Sequence, residues 1–474
     1  MSPASRAYKG RIAALAPRSG EWMRLAFPSV PVTGPSGAVG LLGLFFLSLG
    51  LASSLAAQNI GVGLMLLALL WNGRRAWRDL WSDRVFRFIL LWLGYVIALA
   101  IWAALEAPVP AGAQLEGLRF YGRILYVPLV GWWIGRDPRS FRSVALLVLV
   151  GLLIAVGMHL DWHRPVASLS LASGTRSHRS GFGLNPEHMG LIAVSVLFGL
   201  VAFARGWIGS LHQPRWLLLL RSLAWLALLA LTFQVLIVSG TRADWLAGLL
   251  VGLAGAAVYV WRQLRGGGRR RWLSAGLVVA GVLAVGVGVG ANMQGVAARM
   301  TEDSGTFAKI LHGRYGQIHS IDIGSRFYLW RWGIRKWTQR PVFGWGPGSR
   351  KPMLVHSDVP KYVTSHLKHL HNTYLELLFG QGVVGFLLFA GLWGLLAVRV
   401  RRRIAERAIP PTTGWLLLSL LAVFALASGV ESYVVVQLGW SYMALLGGAM
   451  FALGQNHGPA HLSRPINERT SAVG

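Results

Sequence analysis

Long apolar runs recur along this chain, and no other feature narrows the fold so far. A helix needs about 20 residues to cross roughly 30 Å of hydrocarbon, where the backbone can bond only to protein. Runs of that order fall at 37–56, 58–72, 86–106, 118–135, 141–160, 187–206, 216–239, 242–261, 272–290, 376–398, 414–430 and 436–454. Only 13% of the 474 residues are charged, against about a quarter in a soluble chain. The fold class that follows is all-α: a polytopic integral membrane protein with about 12 transmembrane helices, as the twelve runs count.

Lysine and arginine outnumber aspartate and glutamate by 46 to 17. In a soluble chain that excess would suggest nucleic acid, but here much of it collects in short loops. Arg74, Arg75, Arg78 and Arg84 share one loop, Arg136 and Arg139 a second, Arg262 to Arg271 a third, and Arg399 to Arg407 a fourth. All four fall on one side if the N-terminus is cytoplasmic and twelve spans follow. The charge is thus read as orientation, with no nucleic-acid partner. The resulting plan has a basic cytoplasmic tail at 1–35, nine spans in 36–290 and a long extracytoplasmic loop at 291–375. Three spans in 376–454 and a cytoplasmic tail at 455–474 complete it. With no cysteine in the chain, disulfides and thiolate chemistry are excluded.

The long loop breaks the charge pattern. Arg299, Arg314, Arg326, Arg331, Arg335, Arg340, Arg350 and several lysines lie on the side where basic residues are disfavoured. Long loops are exempt from the rule, and an anionic ligand is the natural reason for the excess. Ser325 to Gln339 reads as a helix with Ser325 as its N-cap and Pro341 beyond its end. Phe327, Trp330, Ile334 and Trp337 would form its apolar stripe, laid along the membrane interface. The Gly344-Trp345-Gly346-Pro347-Gly348 turn that follows would let backbone approach a ligand closely.

Several side chains here suit group transfer. His371, beside Asn372 and just before an apolar run, reads either as an interfacial helix cap or as a base for a hydroxyl. His366 and His369 lie near it, but no carboxylate or cysteine completes a metal set and the spacing matches no standard site. Arg242, in the short turn Ser239-Gly240-Thr241-Arg242, would sit at the bilayer edge, as an anchor, an ion pair with Asp244 or a phosphate ligand. Arg326 stands in the first turn of the loop helix, where an anion is favoured. Arg119 and Arg123 lie four apart, Glu431 occupies the last extracytoplasmic turn, and the loop containing Arg179, Glu187 and His188 allows no single reading. The chain has no D-x-D pair and no G-x-x-x-x-G-K-[ST] loop, so nucleotide-sugar and nucleotide-hydrolysis chemistries have no support. Most spans lack carboxylates, which argues against a proton-relay transporter.

Three stretches, in order, resemble the O-antigen ligase and polymerase superfamily of bacterial envelope glycosyltransferases. They are Ser239 to Arg242; Ser325-Arg326 with Pro341-Val342-Phe343-Gly344-Trp345-Gly346-Pro347-Gly348; and His371-Asn372-Thr373-Tyr374-Leu375-Glu376 running to Gly380-Gln381-Gly382-Val383-Val384-Gly385. The resemblance covers most of the chain, leaving out the two tails. It implies an inner-membrane enzyme whose long loop is periplasmic and contains interfacial helices, surrounded by membrane lipids. It further implies an undecaprenyl-pyrophosphate-linked glycan donor, a lipid A-core acceptor, inversion at the anomeric carbon, and neither cofactor nor metal. His371 would be the base. Arg242 and Arg326 would hold the pyrophosphate, with Glu431, Asn372, Arg123 and Tyr374 in support. A polymerase or a protein O-oligosaccharyltransferase would share the donor and topology, and a lipid-linked glycan transporter is the alternative of another class.

Overall fold

The computed structural model describes residues 27–28, 34–106, 109–171, 179–209, 213–266, 286, 288–290, 292–318 and 323–455. The two tails and most of the expected 272–290 span lie outside the described residues. Helices carry the fold, and no strand occurs among the described residues. In chain order the helices used below are α1 (Pro35–Ser53), α2 (Leu55–Trp71), α3 (Gly73–Trp81), α4 (Arg84–Glu106), α5 (Ala111–Tyr121), α6 (Tyr126–Ile134), α7 (Pro138–His159), α8 (Pro186–Ile208), α9 (Arg215–Val238) and α10 (Arg242–Gly266). The long loop carries α11 (Met293–Thr301), α12 (Ser304–Leu311), α13 (Ile323–Trp337), α14 (Arg350–Val355) and α15 (Lys361–His366). The bundle closes with α16 (Thr373–Ala405), α17 (Pro411–Ser428) and α18 (Gln437–Gly454). Among the described residues eight helices are long and apolar enough to cross a membrane, or nine if the bent α2–α3 pair counts as one span. The protein is an all-α, multi-pass membrane protein.

Because lipid tails give helices no hydrophobic reason to associate, close backbone packing has to supply it. Glycines do so at two crossings. A Cβ on Gly61 of α2 would sit 2.6 Å from the Gly43 oxygen of α1, and one on Gly448 of α18 would sit 2.9 Å from the Gly131 nitrogen of α6. Helix α18 is buried along its length. Its sequence therefore answers to protein neighbours rather than to lipid, and Ser441 and Tyr442 are tolerated there.

The structure differs from the sequence reading at several elements. The expected basic loop 73–85 is mostly α3, an arginine-rich helix bent 97° from α2. The span expected at 118–135 is broken, running as α5, a 3-10 turn Gly122–Leu125, then α6. Ser325 does not cap α13: the helix already starts at Ile323, and Ser325 is buried inside its first turn. The packed face of α13 is Gly324, Ser325, Leu329, Trp332 and Gly333, while Ile334, assigned to the apolar stripe, is exposed. Packing against α16 decides this face, with Trp332 stacked on Phe379 at 5.3 Å.

The glycine-rich turn has a different use from the one its composition suggested. Gly382 interrupts α16 at φ 65°, a left-handed conformation that suits glycine. The 341–346 segment fills the interruption. Val383 donates to the Pro341 oxygen and Val384 to the Val342 oxygen, while Trp345 and Gly346 donate to the Phe379 and Gly380 oxygens, all at 2.9–3.2 Å. A Cβ at Gly382 would lie 2.1 Å from the Val342 oxygen, and one at Gly344 2.6 Å from the Gly382 nitrogen. The close approach is of chain to chain. It satisfies the backbone groups that a broken helix leaves bare, and it locks the long loop onto the start of α16.

Candidate active site

His371 lies at the junction of loop and α16, in the left-handed region at φ 49°. That conformation is uncommon outside glycine and persists where the surroundings dictate it. Here they do. Asn372 caps α16 by accepting from the Leu375 nitrogen at 3.0 Å. Its own backbone nitrogen donates to Ser432 Oγ at 3.0 Å. Thr373 donates to the Glu431 oxygen through both its nitrogen (3.0 Å) and its hydroxyl (2.7 Å). The Tyr433 nitrogen closes the clamp by donating to Thr373 Oγ1 at 2.9 Å. Two turns far apart in sequence, 370–373 and 431–433, are thus stapled together.

The staple delivers a carboxylate to the imidazole. His371 Nδ1 lies 3.0 Å from Glu431 Oε2, and the Ser432 nitrogen donates to Glu431 Oε1 at 3.0 Å. Burial raises the Glu431 carboxyl well above the usual carboxylate range, and the neighbouring Glu187, to which it is hydrogen-bonded, raises it further. Glu187 in turn pairs with a terminal nitrogen of Arg326, whose other terminal nitrogen donates to the Val430 oxygen at 2.7 Å. His371, Glu431, Glu187 and Arg326 form one chain of contacts drawn from four segments.

A second layer lies beside it. The His369 ring stands 4.0 Å from that of His371. Burial, then His371 and Arg350, push the His369 imidazole down to about 2, so it stays neutral. The Glu376 carboxylate accepts from the Leu370 nitrogen at 2.7 Å and from Ser432 Oγ at 3.2 Å, and pairs with Arg350 at 2.8 Å. Ligand atoms of His369, His371 and Glu431 all lie within 4.8 Å of one another. The sequence argument against a metal set, that no carboxylate completes it, therefore fails: Glu431, 60 residues on, supplies one.

Of the other expected site residues, Arg242 makes its bonds toward the long loop, donating to the Arg299 oxygen at 3.1 Å and pairing with Asp303. From the sequence, Asp244 is one of the partners open to it. Asp244 instead sits beside Gly190 of α8, buried. Tyr374 turns away from His371 and donates to the Ala425 oxygen of α17. Arg123 lies in the 3-10 turn, its guanidinium 4.8 Å over the Phe120 ring, with one terminal nitrogen buried and unbonded among the described residues. Arg119 is exposed.

Residues 226–390 match the family model described as O-antigen ligase. Over that stretch, about a third of its length, the chain is similar to the O-antigen ligase family. No curated protein matches the chain. The family comprises membrane glycosyltransferases of the ligase and polymerase type, which act on lipid-linked glycans. The matched stretch contains Arg242, Arg326 and His371, whereas Glu187 and Glu431 lie on either side of it. Sequence reasoning missed Glu187, Arg350 and Glu376 as partners. Glu187 follows Asn185-Pro186, with Asn185 capping α8, so it reads as an ordinary acid in a helix's first turn.

Proposed function

We propose that the protein is an O-antigen ligase, transferring the glycan of an undecaprenyl-pyrophosphate-linked donor to a sugar of the lipid A core with inversion. The contact between His371 Nδ1 and Glu431, held by a clamped backbone, carries this reading. A carboxylate on Nδ1 fixes the tautomer and leaves Nε2 to accept a proton from an acceptor hydroxyl. In the transfer, the acceptor oxygen bonds to the anomeric carbon as its proton passes to Nε2. The bond from that carbon to the pyrophosphate breaks on the opposite face. Arg242 and Arg326 bind the leaving pyrophosphate and offset the charge that develops on it.

Both arginines are paired with carboxylates in this structure, so donor binding exchanges a carboxylate for a phosphate at each. At Arg326 the exchange has a second effect. Glu187 loses its counter-charge and takes up the proton it shares with Glu431. Glu431 is left ionised beside His371, ready to stabilise the imidazolium. Donor arrival thereby arms the base.

The test is reconstitution of the purified protein with lipid-linked O-antigen, lipid A-core and EDTA. Product on the core supports the ligase, and longer lipid-linked chains without core attachment point to the polymerase. A second reading rests on the His369, His371 and Glu431 cluster: a metal held there would occupy the base, and loss of transfer under EDTA with recovery on adding zinc would establish it. Transfer by the His371→Ala protein at the normal rate would sink the base assignment.

A further inference from the structure

A cavity of about 520 Å³ runs along much of α8, between α7, α8, α17 and α18, and reaches the end of α8 opposite Glu187. Its lining along α8 runs from Ile192 to Trp207. From Ile192 to Arg205 is thirteen residues, or roughly 20 Å at a helical rise of 1.5 Å. That is comparable to one leaflet of hydrocarbon, half of roughly 30 Å. The walls are almost wholly apolar. At the inner end Ser195 Oγ and Tyr442 OH bond to each other at 2.7 Å, so that end asks for no polar group from a ligand.

The mouth is different. Arg142 and Arg205 both belong to the lining and both are exposed, and among the described residues no acid lines the cavity. Arg142 is held over the Phe203 ring at 5.6 Å. Cationic forks at the rim of an apolar slot of leaflet depth match one kind of molecule: an anionic head on a hydrocarbon tail.

We propose that this groove binds an anionic phospholipid, its phosphate between Arg142 and Arg205 and one acyl chain along α8 toward Ser195. The groove is separate from the proposed transfer site, and its loading depends on no step of that reaction. A neutral lipid would fill the same slot without the charge contribution. Two arginines near a phosphate predict a preference of about 10- to 30-fold.

The full-length protein in detergent, titrated with phosphatidylglycerol and with phosphatidylcholine of the same chains under native mass spectrometry, tests this. One phosphatidylglycerol is expected to bind about 10-fold or more tighter than phosphatidylcholine. The Arg142→Ala/Arg205→Ala protein is expected to bind both alike. Gly199→Leu blocks the slot itself: among the described residues nothing lies within 4 Å of a Cβ there, so the helix accepts the side chain while both lipids lose the site. Thermal unfolding in phosphatidylcholine checks that each variant folds. Equal binding of the two lipids by the unmodified protein would overturn the proposal, as would unchanged selectivity in the double variant. Selective uptake of undecaprenyl pyrophosphate over phosphatidylglycerol would overturn it as well, making the groove a second donor site.

Discussion

Helix α8 carries a charge near each end, and the two ends are built to opposite plans. Both charges suit the helix dipole, Glu187 in the first turn and Arg205 in the last. The dipole therefore does not distinguish them; their surroundings do. Glu187 is enclosed by Arg326 from the long loop and Glu431 from the last turn of the bundle. Arg205 faces an open groove with no acid in its lining. At the first end each charge is held in place by the next, so removing one leaves another buried without compensation. At the second end a charge can be removed with little consequence for folding. Chemistry that needs fixed geometry is expected where the charges are enclosed, and exchangeable binding where they are open.

The largest effect is expected at the enclosed end. His371→Ala should lower transfer by about 10³-fold, within the range that a general base contributes, while donor binding is retained. Glu431→Gln keeps the shape and a bond to Nδ1 but removes the charge, and a loss of about 10²-fold is expected. Single-turnover transfer with donor binding measured separately checks both. A loss confined to donor affinity in either variant would erase the division of labour between His371 and the arginines.

Next in size is a stability contrast. Arg326→Ala strands the Glu187 carboxylate, at a cost of about 3 kcal/mol, whereas Arg205→Ala should change stability by under about 0.5 kcal/mol. Adding Glu187→Gln to Arg326→Ala should recover most of the lost stability without recovering transfer. Thermal unfolding of the three proteins in one detergent measures this. If the double variant is no more stable than Arg326→Ala, the pairing does not explain the cost, and the contrast between the two ends collapses.

How far all this was legible in the sequence depends on the range of the interactions involved. Helix positions could be read because hydrophobicity is local: the runs at 86–106 and 414–430 reappear as Arg84–Glu106 and Pro411–Ser428. His371 and Arg326 were legible for the same reason, each at the start of a helix amid polar residues. Pairings were not. Glu187 and Arg326 are separated by 139 residues and Arg350 and Glu376 by 26, and no periodicity records such meetings. Gly344 and Gly382 were visible as glycines, yet only the assembled chain reveals that each exists to admit the other. Burial likewise rewrote α13, because the face that matters is chosen by α16 and not by the count of aromatic residues.

A smaller effect separates His369 from its neighbours. Its imidazole is pushed down in the folded protein, to about 2, from an ordinary value near 6.5. A group depressed on folding contributes stability above its unfolded value, and that stability is lost as pH falls below it. Between pH 7.5 and pH 5, His369 should therefore remove roughly 2 kcal/mol. His371, Arg350 and Arg326 add to the cost of charging it, and Glu187 opposes them. Glu431 works in the other direction, since its raised carboxyl gains nothing from a rise in pH. His369→Gln should flatten the acid loss of unfolding temperature while leaving the neutral value nearly unchanged. An equal acid loss in the variant would assign the sensitivity elsewhere in the cluster.

The smallest effect is expected at a salt bridge of the long loop itself. Arg335 and Asp358 pair as Arg326 and Glu187 do, but their side chains are 50% and 65% exposed. The hydrogen bond to Arg335 holds Asp358 below its usual value, so whatever stability it gives is present at neutral pH and fades as pH falls below about 4. Water and salt screen such a pair to between zero and about 1 kcal/mol. Asp358→Asn should therefore move the unfolding temperature by less than about 2 °C in 150 mM salt, and leave transfer unaltered. The same ion-pair chemistry would then span nearly the full range of consequence within one loop, with enclosure as the variable. Should Asp358→Asn prove as damaging as Arg326→Ala, exposure would not be what ranks these pairs, and the anchoring of α13 to residue 358 would have to position Arg326 from the far end of the same helix.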